Sequence, residues 1–243
     1  MRYIGGKVRM AKQLTDFLKS VRKPNQIYVE PFVGGGAIVS LMDGERIASD
    51  ICPYLIAFYK ELQQSGSFPP KTLSEERYNE LKQLYKQGVC NGEIGFGLYF
   101  VSFSGKFLGG YARDPKNGYD FSKGAYNSAL KLKSGIQNVK FCCMDYRELF
   151  KILPSNCLIY CDIPYINTTE YRFKFNHEEY WQFIREQSNN HDIYTSSYVA
   201  PEDFNCVWQL NRKTCMNMAD GRKADRTEKL FKFKGKLDDQ III

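Results

Sequence analysis

An unbroken apolar run, Cys157-Leu158-Ile159-Tyr160-Cys161, passes directly into Asp162-Ile163-Pro164-Tyr165. The run is short and apolar at every position, so it reads as a buried strand. An acid, a proline of fixed backbone and an aromatic ring then stand at the strand's carboxyl end, where open α/β sheets place their chemistry. An acid there can hydrogen-bond the edge of a flat polar ring while the tyrosine stacks on its face. A plain strand ending in a turn would leave the same pattern, so this stretch alone leaves both readings open.

A second strand-like run, Ile27-Tyr28-Val29, leads into Glu30-Pro31-Phe32-Val33-Gly34-Gly35-Gly36. Consecutive glycines let the backbone turn sharply and approach a ligand closely. The spacing fits neither the dinucleotide fingerprint nor a phosphate-binding P-loop. Residues 37–42 are expected to begin a helix. Residues 46–50 are expected to form the next strand, ending in Asp50. An acid at that tip suits ribose hydroxyls. It equally suits a helix N-cap ahead of Pro53, and one residue can serve both ends.

The amino terminus places Tyr3, Gly5, Gly6 and Lys7 before Leu14, Phe17, Leu18 and Val21, whose spacing predicts an amphipathic helix. Lys7 near that helix's start could meet a carboxylate or a phosphate, or belong to an ordinary basic terminus.

A chain of 243 residues fits one large domain or a domain with an insert. No stretch approaches the length of an apolar membrane span, and the basic start lacks a signal peptide's apolar core, so a cytoplasmic protein is expected. Eight cysteines occur without a C-x-x-C pair and with only His177 and His191 beside them, so a zinc site is not expected. Cys142, Cys157 and Cys161 read as reduced core residues. The net charge of +7 gathers at the two ends, in residues 1–23 and 211–240. Such charge suits a phosphate backbone, although many solvated surfaces are basic.

Between Asp50 and the strand expected at 139–142 lies a long middle segment. Helices are expected at 53–63, 75–86 and 123–133, with a buried apolar helix over 94–103. Residues 104–120 mix glycine with Lys106, Phe107, Tyr111 and Arg113 and read as an irregular loop. Residues 60–135 are taken as an inserted helical lobe. Beyond the tetrapeptide, 166–175 reads as a loop over the site, with Thr168, Thr169, Tyr171, Arg172 and Lys174. Asn176 is expected to cap a helix carrying Tyr180, Trp181 and Ile184, with Trp181 in the core. Late strands are expected at 192–196, 207–210 and 214–218. A polar basic loop at 220–226 contains Arg222 and Lys223.

Taken in order, the lysine motif at 3–7, the glycine motif at 30–36, Asp50 and the tetrapeptide at 162–165 resemble the Dam-type (D12 class) DNA adenine-N6 methyltransferases, most closely their phage members. Cys143-Met144-Asp145-Tyr146 and Ile193-Tyr194-Thr195-Ser196-Ser197-Tyr198 resemble that family's further strand-end segments. The resemblance spans residues 1–60 and 136–235 and is loose between. It departs from the family at Ile163, where proline is usual. Pro164 still holds Ile163 extended, and any residue there keeps its carbonyl.

The resemblance implies a Rossmann-like α/β methyltransferase sheet, discontinuous over 1–59 and 136–243, with 60–135 as the target-recognition domain. It implies S-adenosylmethionine as methyl donor, double-stranded DNA as partner and a flipped adenine as target; no metal or membrane partner is expected, and the protein is expected to be a monomer. Asp162 and the Ile163 carbonyl would hold the base amine, with Pro164 fixing the turn and Tyr165 stacking on the base. Tyr3, Lys7, Phe32, Gly34, Gly35, Asp50, Asp145 and Asp162 would face the donor. Lys106, Arg113, Arg222 and Lys223 would meet DNA. A cytosine-C5 enzyme is excluded because the chain has no Pro-Cys step for its thiolate nucleophile. A methyltransferase of RNA or protein glutamine, and an inactive DNA-binding homologue, stay open.

Overall fold

The computed structural model describes residues 1–3, 5–165, 175–217 and 223–235, with backbone alone at 212–217 and 223–226. Two compact units emerge, Met1–Arg22 with Ile27–Ile152, and Lys23–Gln26 with Leu153–Ile243.

In the first unit, helix α1 (Ala11–Val21) precedes β1 (Tyr28–Glu30) and β2 (Arg46–Asp50). Helices α2 (Pro53–Gln64), α3 (Glu75–Lys86), α4 (Gly92–Gly95) and α5 (Phe121–Gly135) follow, then β3 (Val139–Cys143) and α6 (Tyr146–Ile152). The strands pair in parallel in the order β3-β2-β1. The register sets Glu30 opposite Ala48 and Asp50 opposite Cys143, so polar ends gather at one edge of an apolar sheet. Leu14 and Leu18 of α1 and Leu55, Phe58, Tyr59 and Leu62 of α2 are buried, as their helical spacing requires. Tyr59 stacks on Phe141 of β3 with centroids 4.6 Å apart and planes 4° from parallel.

The second unit contains β4 (Leu158–Asp162), α7 (His177–Gln187), β5 (Asp192–Ser197), β6 (Phe204–Asn217) and β7 (Lys223–Phe233). Strands β4 and β5 are parallel, with Asp162 opposite Ser196, while β7 runs antiparallel to both β5 and β6. Every residue of β4 before Asp162 is buried, which is why the run carries no alternation. Asn176 caps α7 by accepting from the Glu178 and Glu179 amides at 3.1 and 3.2 Å, and Trp181 is buried. The mixed α/β, Rossmann-like class expected from the sequence is the observed one.

Several local expectations are corrected. Residues 37–42 form irregular turns rather than the start of a helix. The chain must leave a glycine turn and reach β2 within a few residues. Its orphan carbonyls are met instead by buried Arg46, whose Nη1 donates to Val39, Met42 and Gly135 at 3.0, 2.9 and 2.6 Å. The apolar stretch at 94–103 begins as α4 but continues as a π-helical turn, Phe96–Phe100, and a 3₁₀ turn, Phe103–Gly105. Gly95 lies so close to α2 that a Cβ would run into the Tyr54 carbonyl oxygen. The separate strands expected at 207–210 and 214–218 are one long β6, with register shifts at Cys206/Trp208 and Lys213/Asn217. The last residues of the loop expected at 220–226 belong to β7. Cys157 and Cys161 are buried, but Cys142 is only half-buried.

Asp192 ties the second unit together. Its carboxylate accepts from Lys23 Nζ at 2.7 Å, Gln26 Nε2 at 2.9 Å and Lys232 Nζ at 3.0 Å. Burial works to raise its pKa, but Lys23, Lys232 and Gln26 outweigh burial and hold it at about 2. A depressed carboxylate contributes stability that is present above its unfolded value and lost as pH falls through the folded one. Because both lysines are well exposed, the contribution is about 1–2 kcal/mol. Asp192→Asn should therefore lose about that much at pH 7 and converge with the parent as pH falls from about 4 to 2. Urea denaturation across that range measures it.

Candidate functional site

The glycine motif folds into a buried turn held by hydrogen bonds with β2 and α2. Gly34 and Gly36 adopt φ of 43° and 66°, values that L side chains resist. The Val33 amide donates to Ser49 O at 2.9 Å, and the Gly34 amide to Asp50 Oδ2 at 3.1 Å. The Tyr59 hydroxyl donates to Gly34 O at 2.6 Å. Among the described residues, the space left by the missing Cβ atoms admits the protein's own rings. A Cβ on Gly34 would lie 2.9 Å from Tyr3 Cε1, and one on Gly36 would lie 2.8 Å from the Tyr59 hydroxyl.

Asp50, at the tip of β2, is half-buried. Its Oδ1 accepts from the Cys52 amide at 2.9 Å. Cys52 is the N-cap of α2, with Pro53 at the first turn, so Asp50 serves the helix entrance from two residues ahead of the N-cap. Burial raises the Asp50 carboxyl to about 6, against the lowering effect of the Cys52 and Gly34 amides. A carboxylate has about four lone-pair positions, so two amide partners leave room for hydroxyl donors.

The other residues expected beside it are placed as follows. Tyr3 stacks on Tyr99, with centroids 5.6 Å apart, and Lys7 is buried. Phe32 meets the Tyr146 ring at 5.4 Å. Asp145 stands ahead of α6 and accepts from the Arg147 amide at 3.0 Å and from its Nε at 2.7 Å. Ile4 lies outside the described residues.

In the second unit, Asp162 ends β4 half-exposed, Ile163 is buried, and Pro164 follows. Tyr165 is buried too, and its ring stacks on Tyr198 at 4.5 Å and 22°. Its hydroxyl donates to buried Glu228 and lies 3.4 Å from Asp162 Oδ1. Burial first, then the neighbouring Asp162 and Glu228 charges, hold the Tyr165 hydroxyl well above its usual pKa. It stays protonated as a donor. Behind it the Tyr160 hydroxyl meets Ser196 Oγ at 2.9 Å. Sequence reasoning missed Glu228, because one acid among the basic residues of a late strand carries no signal of burial. Thr168, Thr169, Tyr171, Arg172 and Lys174 lie outside the described residues.

Of the cationic candidates, Lys106 is exposed on the turn after Phe103–Gly105. Arg113 is exposed and makes a two-pronged pair with Glu75, with Nε 3.0 Å from Oε2. Arg113, Tyr111 and Tyr119 border a cavity of about 280 Å³. Arg222 lies outside the described residues, as does the side chain of Lys223. Among the described residues, no three His, Cys, Asp or Glu side chains gather as a metal site, and no helix is long and apolar enough to cross a membrane.

Residues 3–96 match the model of a family described as D12 class N6 adenine-specific DNA methyltransferase. The chain is 26% identical to a DNA adenine methylase of Vibrio cholerae, over 95% of each chain. It is also 26% identical to the Type II methyltransferase M.MjaIII of Methanocaldococcus jannaschii, over 68% of each. Among solved structures it is similar to the rRNA methyltransferase aviRa of Streptomyces viridochromogenes, at 12% identity and a TM-score of 0.44, covering 93% of this chain and 85% of that one.

The glycine turn makes a direct prediction. Gly34→Ala forces a positive φ on an L residue and drives a methyl into the Tyr3 ring, and should cost about 1–3 kcal/mol. Gly66→Ala, where a Cβ meets nothing within 4 Å, should stay within about 0.5 kcal/mol of the parent. Chemical denaturation of the two variants gives the comparison.

Proposed function

We propose that this chain, whose residues 3–96 carry the D12 class N6 adenine-specific DNA methyltransferase domain, transfers a methyl group from S-adenosylmethionine to the N6 amine of an adenine flipped out of duplex DNA. The observation that carries the reading is the end of β4. A half-exposed carboxylate there is followed by a residue held extended by Pro164 and by a tyrosine locked against Tyr198. Similarity to a DNA adenine methylase along nearly the whole of both chains supports it.

Asp50 fits a ribose, since it is half-buried, carries an acceptor group and is held in place by two amides. Tyr3, Lys7, Phe32, Gly34, Gly35, Asp145 and Asp162 are the further residues assigned to the donor. Arg147 already holds Asp145, and this fixes where its carboxylate points. When bound, S-adenosylmethionine supplies an electrophilic methyl group on a sulfonium. Asp162 accepts one N–H of the target amine and the Ile163 carbonyl the other. Both bonds favour a nitrogen whose lone pair is turned out of the ring. Tyr165 offers its ring to the base, and its stacking on Tyr198 fixes that ring before any base arrives. Orientation of this kind supplies much of the barrier lowering in a two-substrate transfer.

Residues 60–135 serve as the target-recognition domain of a catalytic domain formed by 1–59 and 136–243. Lys106 and Arg113, with Arg222 and Lys223, are assigned to the DNA. Arg113 would exchange Glu75 for a phosphate or a guanine edge, since its planar fork suits all three.

Two outcomes test these roles. The Asp50 carboxyl sits at about 6, so lowering the pH from 7.5 to 5 protonates it and removes its acceptor character. Donor affinity should fall by roughly tenfold between pH 7.5 and 5, most of it below pH 6. Asp50→Ala should bind about 1.5–3 kcal/mol more weakly at pH 7.5, with a flat pH profile. Calorimetric titration reads both, and an unaltered affinity would remove Asp50 from the donor site. Radiolabelled methyl transfer to adenine-containing duplex DNA tests the second. Asp162→Ala should abolish transfer, Ile163→Pro should keep it, and Tyr165→Ala should lose about 1–3 kcal/mol of stacking. Turnover by Asp162→Ala would overturn the mechanism.

A further inference from the structure

Glu228 belongs to none of the roles above, yet it is among the most deeply buried carboxyl groups of the second unit, with 4% of its surface exposed. It stands on β7 beside Lys229, which pairs with Ser197 of β5, and Ser196 in turn pairs with Asp162 of β4. Strand register, not sequence proximity, therefore brings a second carboxylate to the Tyr165 hydroxyl across 63 positions of chain. Burying a carboxylate costs several kcal/mol unless strong hydrogen bonds offset it, and an apolar residue would fill the position without that cost. An expensive group at a site of this kind points to a task.

A phenol has one proton to donate. Here two carboxylates stand within its reach, Glu228 in close contact and Asp162 at 3.4 Å, the outer limit of a hydrogen bond. The ring cannot swing away, because Tyr198 covers one face at 4.5 Å. Glu228 and Asp162 are thus two acceptors that the fixed hydroxyl can reach. A proton given to Asp162 would occupy an acceptor position and draw charge from the carboxylate that the amine needs.

We infer that Glu228 is a positioning residue for methyl transfer: by accepting the Tyr165 hydroxyl, it keeps that proton off Asp162 and leaves the Asp162 carboxylate to the target amine. The inference rests on the assignment of Asp162 as amine acceptor. Burial of Tyr165 between the two acids keeps the phenol protonated at all working pH values, so the choice of acceptor is always live.

A double-mutant cycle in the full-length protein tests it, with kcat for methyl transfer to duplex DNA and donor affinity as paired readouts. Glu228→Leu should lower kcat by tenfold or more while donor affinity stays within twofold. Tyr165→Phe removes the competing proton and keeps the ring, so Glu228→Leu should have little further effect in that background. Glu228→Gln retains volume and a weaker acceptor oxygen. It should lose about threefold in kcat, and Tyr165→Phe should again erase the loss. If Glu228→Leu does not fold, the glutamine cycle alone decides. A purely structural Glu228 predicts losses that multiply in the double variant, and that result overturns the inference while leaving the function intact. A parent protein that methylates no adenine would overturn the function, and this role with it.

Discussion

The peptide group of Gly34 is the fixed point of the first unit. Its amide is bound by Asp50 and its carbonyl by Tyr59. Both partners come from elements that the sheet already positions, the tip of β2 and the middle of α2. A glycine is required because the backbone is left-handed there and Tyr3 lies against it. The carboxylate in turn is held beside α2 by the Cys52 amide. Strand end, helix entrance, glycine turn and amino terminus are therefore one connected arrangement. A change at any of them alters the setting of Asp50.

The amino-terminal segment depends on the middle of the chain as well. The Tyr3 ring stacks on Tyr99, and Gly105 comes so close to Tyr3 that a Cβ would lie 2.9 Å from its Cα. Arg2 donates to Ser102 O at 3.0 Å and covers the Phe121 ring at 4.1 Å. Residues 60–135 thus do more than pack on one another. They also hold in place the residues that precede α1, which explains why a loosely similar segment can still belong to the same compact unit.

In the second unit the decisive feature is competition for one proton. Tyr165 is stacked, buried and bonded, so its geometry is set before a substrate arrives. The neighbouring hydroxyl pair of Tyr160 and Ser196 and that of Tyr180 and Thr195 satisfy each other at 2.9 and 2.8 Å. These pairs keep the floor under the tetrapeptide polar and hydrogen-bonded.

The amino-acid sequence by itself determined the α/β class, the strand ends that carry Asp50 and Asp162, and most helix positions. Each of these rests on local rules: apolar runs of strand length, helical spacing in α1, α2 and α3, and Asn176 as a cap. It also showed the order of motifs on which the resemblance to a known family rests. Tertiary structure alone decided the rest. The turn at 37–42 gave up helical form because Arg46 could take its carbonyls. The stretch at 96–100 became π-helical among close glycine contacts. Strands β6 and β7 reached their full length only by pairing with each other. Glu228 met Tyr165 through strand register, which joins residues that no spacing in the sequence connects. Local patterns report what a segment prefers, but a buried polar group takes whichever partner the assembled sheet brings to it.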